Sequence, residues 1–450
     1  MRPFRSRAPA MLVALAVVLP GCLGDDEPGP EPARTSPEPA PAGPPADVHV
    51  SANLGVPSER QPSMSGFLHG LESGSPPDSL LRPLRPRLWR SIPARAPYER
   101  VAGLGARYQF VLSDLWGYPP THWHGRRPPW EDLDGWARMV RRAARSLRGQ
   151  PVEWDVWNEP DNAAFFTGTR EEFFAVYETA ARTLRDELGN PVVGGPSTRR
   201  PRRAWTEGLL RHCRRRGCRV DFLSFHANLE PDEPIPPIAD RVRELRELVP
   251  RYRDLSLDRI EVNESVGHAD QYRPGEILGY LHHMEAGGAD AAARACWPDL
   301  GGSDNCSNGT LDGLFTPDDR PRSAWWAYRA YADGVAGRVP SRSDSPAIAV
   351  LASRRDVAGH VQVLLARHDR VGPAPNPLAV ELTLRGLGSA LSGARSAVAT
   401  VQLLSDTGEQ PLPEPPTIAE LPVRVGAGEV TLRPGSLGAH QAMIVTVAPR

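Results

Sequence analysis

Lysine is absent from all 450 residues, so each of the 53 basic side chains is an arginine. That absence removes Schiff-base catalysis, and with it the phosphate loop that needs Gly-Lys-Ser/Thr. An excess of charge is missing too: 53 arginines meet 54 carboxylates, which argues against the broad basic field of a nucleic-acid binder. The apolar run Ala10 to Leu19 falls short of the roughly 20 residues a membrane span requires. Neither a Gly-x-Ser-x-Gly elbow nor a His-Glu-x-x-His helix occurs, so serine-hydrolase and zincin chemistry lose their usual signatures. Cysteine is scarce, at five residues.

What is present begins with an export pattern. Arg2, Arg5 and Arg7 precede the short apolar run, and Leu19-Pro20-Gly21-Cys22 follows it. Residues 1–22 resemble a bacterial lipoprotein signal with Cys22 as the lipidated residue, although Pro20 departs from the usual small or hydroxylated residue. An ordinary cleaved signal is the competing reading. Residues 23–47 are rich in Pro, Glu, Ala and Asp with little to bury, which predicts a disordered, extended tether. The expectation is an exported lipoprotein held to an envelope membrane through Cys22. The remaining Cys213, Cys218, Cys296 and Cys306 suit disulfides in an exported chain. Pairing 213 with 218 and 296 with 306 is the simplest of three connectivities. Zinc-finger spacing is missing around both pairs.

Residues 48–339 alternate short apolar runs with helix-period segments, the pattern of repeated β-α units. Strands are predicted at 48–51, 87–92, 108–114, 152–159, 191–195, 220–226, 259–264 and 291–297, which makes an eight-stranded (β/α)8 TIM barrel. Trp136, Met139, Val140, Ala143 and Leu147 recur at helical spacing, as do Phe173, Tyr177, Ala181, Leu184 and Leu188. The second helix has a capping box, Thr169 with Glu172, and a Gly189 stop. Residues 340–450 change to short alternating strands at 347–351, 361–365, 378–384, 397–404, 430–432 and 442–447, an antiparallel β-sandwich. The fold class is therefore α/β, a barrel followed by a sandwich.

The run Val152-Glu153-Trp154-Asp155-Val156-Trp157-Asn158-Glu159-Pro160 brings an apolar strand to a carboxylate that packing does not explain. Pro160 cannot extend a ladder and restricts the backbone before it. A second candidate, Glu264, closes Arg259-Ile260-Glu261-Val262-Asn263-Glu264, with Glu261 the alternative if the register differs. Barrel active sites lie at the C-terminal strand ends, where strands four and seven bring these two glutamates face to face. Two opposed carboxylates suit glycoside cleavage, and about 5–5.5 Å between them predicts retention of configuration. Glu159 is the candidate acid/base and Glu264 the candidate nucleophile. The acid should sit in a drier or more negative setting than the nucleophile.

Trp157-Asn158-Glu159-Pro160 together with Glu264 resembles the retaining barrel glycosidases. Asp221-Phe222-Leu223-Ser224-Phe225-His226 and Arg322-Ser323-Ala324-Trp325-Trp326-Ala327-Tyr328-Arg329 are most similar to glycoside hydrolase family 39, a resemblance over roughly residues 48–335. That family includes xylosidases, iduronidases and exopolysaccharide endoglycosidases. The resemblance implies that Asn158 holds a sugar 2-hydroxyl, that His226 lines the site beside the nucleophile, and that Trp297 forms a sugar platform. Family members often show Thr-Glu at the nucleophile and His-Tyr after strand six, whereas this chain has Asn263-Glu264 and His226-Ala227-Asn228.

Read without the family, His226 could be a structural histidine, and Trp297 could pack on the disulfide beside it. Trp116, Trp123 and Trp130 suit stacking on sugar faces or packing within a loop core. Arg90, ending strand two, could bind a hydroxyl or a carboxylate with its planar fork, or lie on the surface. The leading expectation is a metal-independent retaining glycosidase, without cofactor, acting on an extracytoplasmic oligo- or polysaccharide. The alternative is a glycan-binding surface lipoprotein that lacks catalysis.

Overall fold

Strands buried on both faces and strands buried on one face leave different traces, and both kinds are present. The computed structural model describes residues 46–72, 74–119, 126–299, 304–355, 359–369, 376–426 and 428–450. The expected signal peptide, most of the expected tether, Cys22 and Trp123 lie outside the described residues. After β1 (Val48–Asn53) come β2 (Gly66–Leu68), β3 (Leu88–Ser91), β4 (Arg107–Val111), β5 (Val152–Asp155), β6 (Val192–Thr198), β7 (Phe222–Ala227), β8 (Arg259–Ser265) and β9 (Ala291–Arg294). Strands β2 to β9 form one eight-stranded sheet in sequence order, each ladder between successive strands parallel. β2 returns against β9, which closes the TIM barrel. Closure is tight: a Cβ on Gly66 would lie 2.1 Å from the carbonyl oxygen of Ala292, so glycine is required there.

The helices outside the barrel follow from amphipathic spacing. Leu133–Ser146 buries Trp136, Met139, Val140 and Ala143. Arg170–Leu188 starts with both halves of the Thr169/Glu172 capping box and ends at Gly189. Each satisfies backbone groups that the helix itself leaves unpaired.

Two sheets make the second layer system. β10 (Arg338–Val339), β12 (Ile348–Arg355), β13 (His360–Arg367), β18 (Ala442–Pro449), β15 (Ser396–Leu404) and β16 (Thr417–Arg424) form the larger, in that order. β11 (Ser341–Ser343), β1, β14 (Leu378–Arg385) and β17 (Val430–Leu437) form the smaller. Their shared core includes Val50, Val363, Leu382, Val401 and Val445, apart from the core of the barrel.

The predicted first barrel strand, 48–51, is corrected. β1 pairs in parallel with β14 and antiparallel with β11, so it belongs to the sandwich, and so does β10 at the far end of the predicted barrel segment. The reason was visible in the residues: Val48, Val50 and Ala52 are buried while His49 is exposed, the alternation of a half-buried strand. The true first barrel strand is three residues long and contains glycine, too little for a pattern. β16 was also missed. It is an edge strand, mostly exposed, with Pro422 and alternating charges, as edges tend to be.

The helix Pro274–Gly287 lies between barrel and sandwich. Its Gly275 N–H donates to the His440 carbonyl at 2.9 Å, and a Cβ there would sit 2.1 Å from the Arg367 carbonyl oxygen. Glycine thus sets how closely the two layers meet.

Candidate active site

Strand β5 ends at Asp155, and the chain then turns over the barrel mouth with Val156 and Trp157 buried. Glu159 holds left-handed backbone, φ 45°, fixed by its N–H bond to the Ser197 carbonyl at 2.9 Å. A strained non-glycine residue of this kind persists only when its surroundings over-determine it, and such residues gather at functional sites. Strand β8 reaches Glu264 by another device. Glu261 and Asn263 both point inward to Gln109, so regular alternation would turn Glu264 away from the barrel axis. The register of β8 slips against β7 next to His226 and against β9 after Val262, and this re-aims the Glu264 carboxylate toward the mouth.

The two carboxylates converge. An oxygen of Glu159, a ring nitrogen of His226 and an oxygen of Glu264 all lie within 4.8 Å of one another. Both glutamates line a cavity of about 660 Å³. Glu264 Oε1 accepts from Arg90 Nη1 at 2.6 Å, and Oε2 from Asn228 Nδ2 at 3.0 Å. Glu159 Oε1 accepts from His226 Nδ1 at 2.8 Å, and Oε2 from Asn162 Nδ2 at 2.6 Å. Glu261 lies elsewhere, deep in the barrel beside Arg107 and Arg259.

Arg90 knits the floor together. Its Nε donates to Asp155 at 2.8 Å and its Nη2 to Asn158 Oδ1 at 3.0 Å, while Nη1 serves Glu264. Asp155 also accepts from Ser197 and faces the amide of Asn263. Burial drives the Asp155 carboxyl upward against these donors. Glu159 is in the expected drier setting, its side chain 8% exposed against 14% for Glu264, yet its carboxyl is not raised. Burial is the largest influence and pushes it up, but His226, Asn162 and Arg199 together hold its carboxyl below the usual range. Glu159, His226 and Glu264 are also a set of three that could ligate a cation. The Arg90 guanidinium already sits on Glu264 and would repel one.

The chain resembles known proteins in the same region. The model for the family described as Glycosyl hydrolases family 39 matches residues 119–277. A β-xylosidase from Caldicellulosiruptor saccharolyticus is 34% identical over 113 residues, 23% of this chain and 23% of that protein. The match thus spans about a quarter of that relative's length. A solved structure from Neocallimastix frontalis superposes with a TM-score of 0.70 at 19% identity, covering 90% of this chain and 100% of the other. A β-xylosidase structure from Caulobacter crescentus gives 0.62 at 16% identity, covering 89% and 99%. Over residues 119–277 the chain is similar to glycoside hydrolase family 39.

The other predicted residues divide. Asn158 lines the cavity with its carbonyl oxygen held by Arg90, which turns the NH2 end outward. Trp297 lines it too, its indole N–H donating to the Val266 carbonyl at 2.9 Å. The disulfides pair Cys213 with Cys218 and Cys296 with Cys306, and the second pair borders the cavity beside Trp297.

Four expectations are resolved or corrected. Trp116 is buried away from the cavity, edge-on to Trp136, because the short helix Ser113–Trp116 turns it into the core. Trp130 packs against Phe166 in the same apolar region. Arg90 is neither a surface group nor an open fork: its donors are engaged by Asp155, Asn158 and Glu264. His226 is fully buried behind the two glutamates instead of lining the cavity, so it positions them.

Sequence reasoning passed over Asn228, Asn162, His69 and Asp114. Asn228 donates to Glu264 one residue beyond Ala227. The departure from His-Tyr marked that spot, but an asparagine in a loop carries no signal of its own. His69 and Asp114 follow β2 and β4, and their strand ends were the least legible.

Proposed function

We propose that this chain hydrolyses O-glycosidic bonds of an oligo- or polysaccharide with retention of configuration, Glu159 as acid/base and Glu264 as nucleophile. The observation that carries the reading is the approach of carboxylate oxygens of Glu159 and Glu264 to within 4.8 Å on one cavity, too close for the roughly 6.5–9.5 Å that admits a water between the carboxyls of an inverting enzyme. Glu264, held by Arg90 and Asn228, is aimed to attack the anomeric carbon. Glu159 protonates the leaving oxygen, then takes a proton from the water that releases the sugar. Trp297 offers an apolar face for a sugar ring, and Asn158 an N–H for the 2-hydroxyl. The family-39 match and the β-xylosidase relatives support this class. Which sugar is cleaved is left to the loops.

The low setting of Glu159 favours a second reading, a glycan-binding protein without turnover. A screen of purified protein on aryl glycosides and polysaccharides, with product anomers followed by NMR, separates the two. Release of the retained anomer supports the hydrolase; sugar binding without release supports the other. We also propose that the protein works outside the cytoplasm, anchored through Cys22. The two disulfides and the N-terminal pattern support this. Loss of membrane association in a Cys22→Ser variant would be the check.

A further inference from the structure

Two imidazoles meet where the helix Pro274–Gly287 crosses the end of β13, and neither lines the cavity that holds Glu159 and Glu264. His283 sits on the helix and is half-buried, while His368 follows β13 and is buried. Glycine makes the space for the second ring. A Cβ on Gly279, one turn before His283, would stand 2.8 Å from both Cβ and Cγ of His368, so the imidazole lies against bare helix backbone and reaches along it to His283. The His368 N–H donates to the Ala347 carbonyl at 3.0 Å, which holds the backbone end in place.

The two Nε2 atoms face each other at 3.4 Å, with the ring planes at 89° and the centroids 5.0 Å apart. Two neutral imidazoles can meet like this in either of two states. One ring carries its hydrogen on Nε2 and donates it to the other, or both Nε2 lone pairs face a shared cation. N–H hydrogen bonds gather near about 2.9–3.0 Å and prefer a straight line. Here the nitrogens stand further apart, and the close centroids show that the ring axes bend away from the line between them. Two nitrogens bound tetrahedrally at about 2.0–2.1 Å from one ion lie about 3.3–3.4 Å apart, which matches this pair. A square-planar ion such as copper(II) would draw them to about 2.9 Å. His368 Nδ1 has no hydrogen-bond partner, so no neighbour dictates which of its nitrogens carries the hydrogen.

We propose that His283 Nε2 and His368 Nε2 bind one zinc ion, which clamps the helix between barrel and sandwich to the end of β13. Among the described residues no third His, Cys, Asp or Glu offers a ligand atom within 4.8 Å of both, so water completes the tetrahedron through the half-buried side of His283. His282 packs edge-on to His283 but lines a separate groove. The Arg243 guanidinium near His283 is engaged by Asp240. The inference is independent of the glycosidase reading.

The test uses the full chain, free of any histidine tag and stripped of metal by a chelator, with zinc chloride as the probe. Isothermal titration should find one zinc bound at this site, and saturating zinc should raise the melting temperature by several degrees, because an ion that binds only the folded state stabilises it. X-ray absorption at the zinc edge should show two imidazole nitrogens at about 2.0–2.1 Å. His283→Gln, at a half-buried position, should match the wild type in its metal-free melting curve and circular dichroism, yet lose the zinc-dependent rise and bind at least about tenfold more weakly. His368→Gln repeats the measurement from the other side. Glu159→Gln, which breaks the active-site trio of possible ligands, should bind zinc as the wild type does. A wild type whose melting ignores zinc would reduce the pair to a hydrogen bond. Fewer than two imidazoles on the zinc, undiminished binding in His283→Gln, or lost binding in Glu159→Gln would place the ion elsewhere. Each of these results overturns the site.

Discussion

Arg90 Nη1 stands 2.6 Å from Glu264 Oε1, an ion pair between the non-adjacent barrel strands β3 and β8, with the arginine side chain only 2% exposed. The same guanidinium grips Asp155 and Asn158, so a single rigid fork orients Glu264, the proposed nucleophile, together with Asn158 and the barrel floor. A lysine keeps the charge but cannot span three partners. Arg90→Lys should lower kcat/KM by about ten- to a hundredfold, the value of one or two charged hydrogen bonds. Steady-state kinetics on an aryl glycoside would show it, and wild-type rates would remove Arg90 from the nucleophile's support.

Removing each carboxylate should give different chemistry. In Glu264→Ala, azide can attack the anomeric carbon directly and yields a glycosyl azide of inverted configuration. In Glu159→Ala, azide intercepts the glycosyl-enzyme and yields the retained product. The Glu159 variant should lose about 10²–10⁴-fold in rate with poor leaving groups. NMR of the azide products assigns the two roles, and the same anomer from both variants would reject the assignment.

Asn162 is one of the donors that hold Glu159 low. In its proposed role of general acid, Glu159 must be protonated when the glycoside binds, so activity should fall as pH rises through its pKa. That places the optimum on the acid side. Asn162→Ala removes a bond to the carboxylate, which raises the pKa, and the alkaline limb of kcat/KM should move to higher pH. A limb that stays put or moves down would contradict this coupling.

Trp297 and Trp116 should separate binding from stability. Trp297→Ala should raise KM with little change in melting temperature. Trp116→Ala opens a cavity in the aromatic core and should cost about 3–5 kcal/mol of stability. Thermal melts with saturation curves distinguish them, and a raised KM in stable Trp116→Ala protein would return that residue to the site.

At the layer boundary, Gly275→Ala forces a methyl into the Arg367 carbonyl. Overpacking of this sort costs about 1–3 kcal/mol. Denaturant melts should show it, and an unchanged midpoint would mean the helix can back away freely.

Much of this was legible in the residues. The capping box at Thr169, the helical stripes, the strand that runs into Asn158-Glu159-Pro160 and the pairing partners of four cysteines are local patterns, set by backbone geometry within a few residues. The first barrel strand was misplaced because three residues around a glycine carry no period, while the alternating Val48-His49-Val50 looked like a strand and was one, in the other sheet.

The sequence by itself determined that a barrel of β-α units would be joined to a β-sandwich and that two glutamates would end their strands. The tertiary structure alone decided their separation, the burial of Arg90 and His226 behind them, the turn of Trp116 into the core, and the meeting of His69 with Asp114. Periodicity is written along the chain, whereas convergence depends on register slips and loop paths that sum over the whole barrel, so no short stretch of residues encodes it.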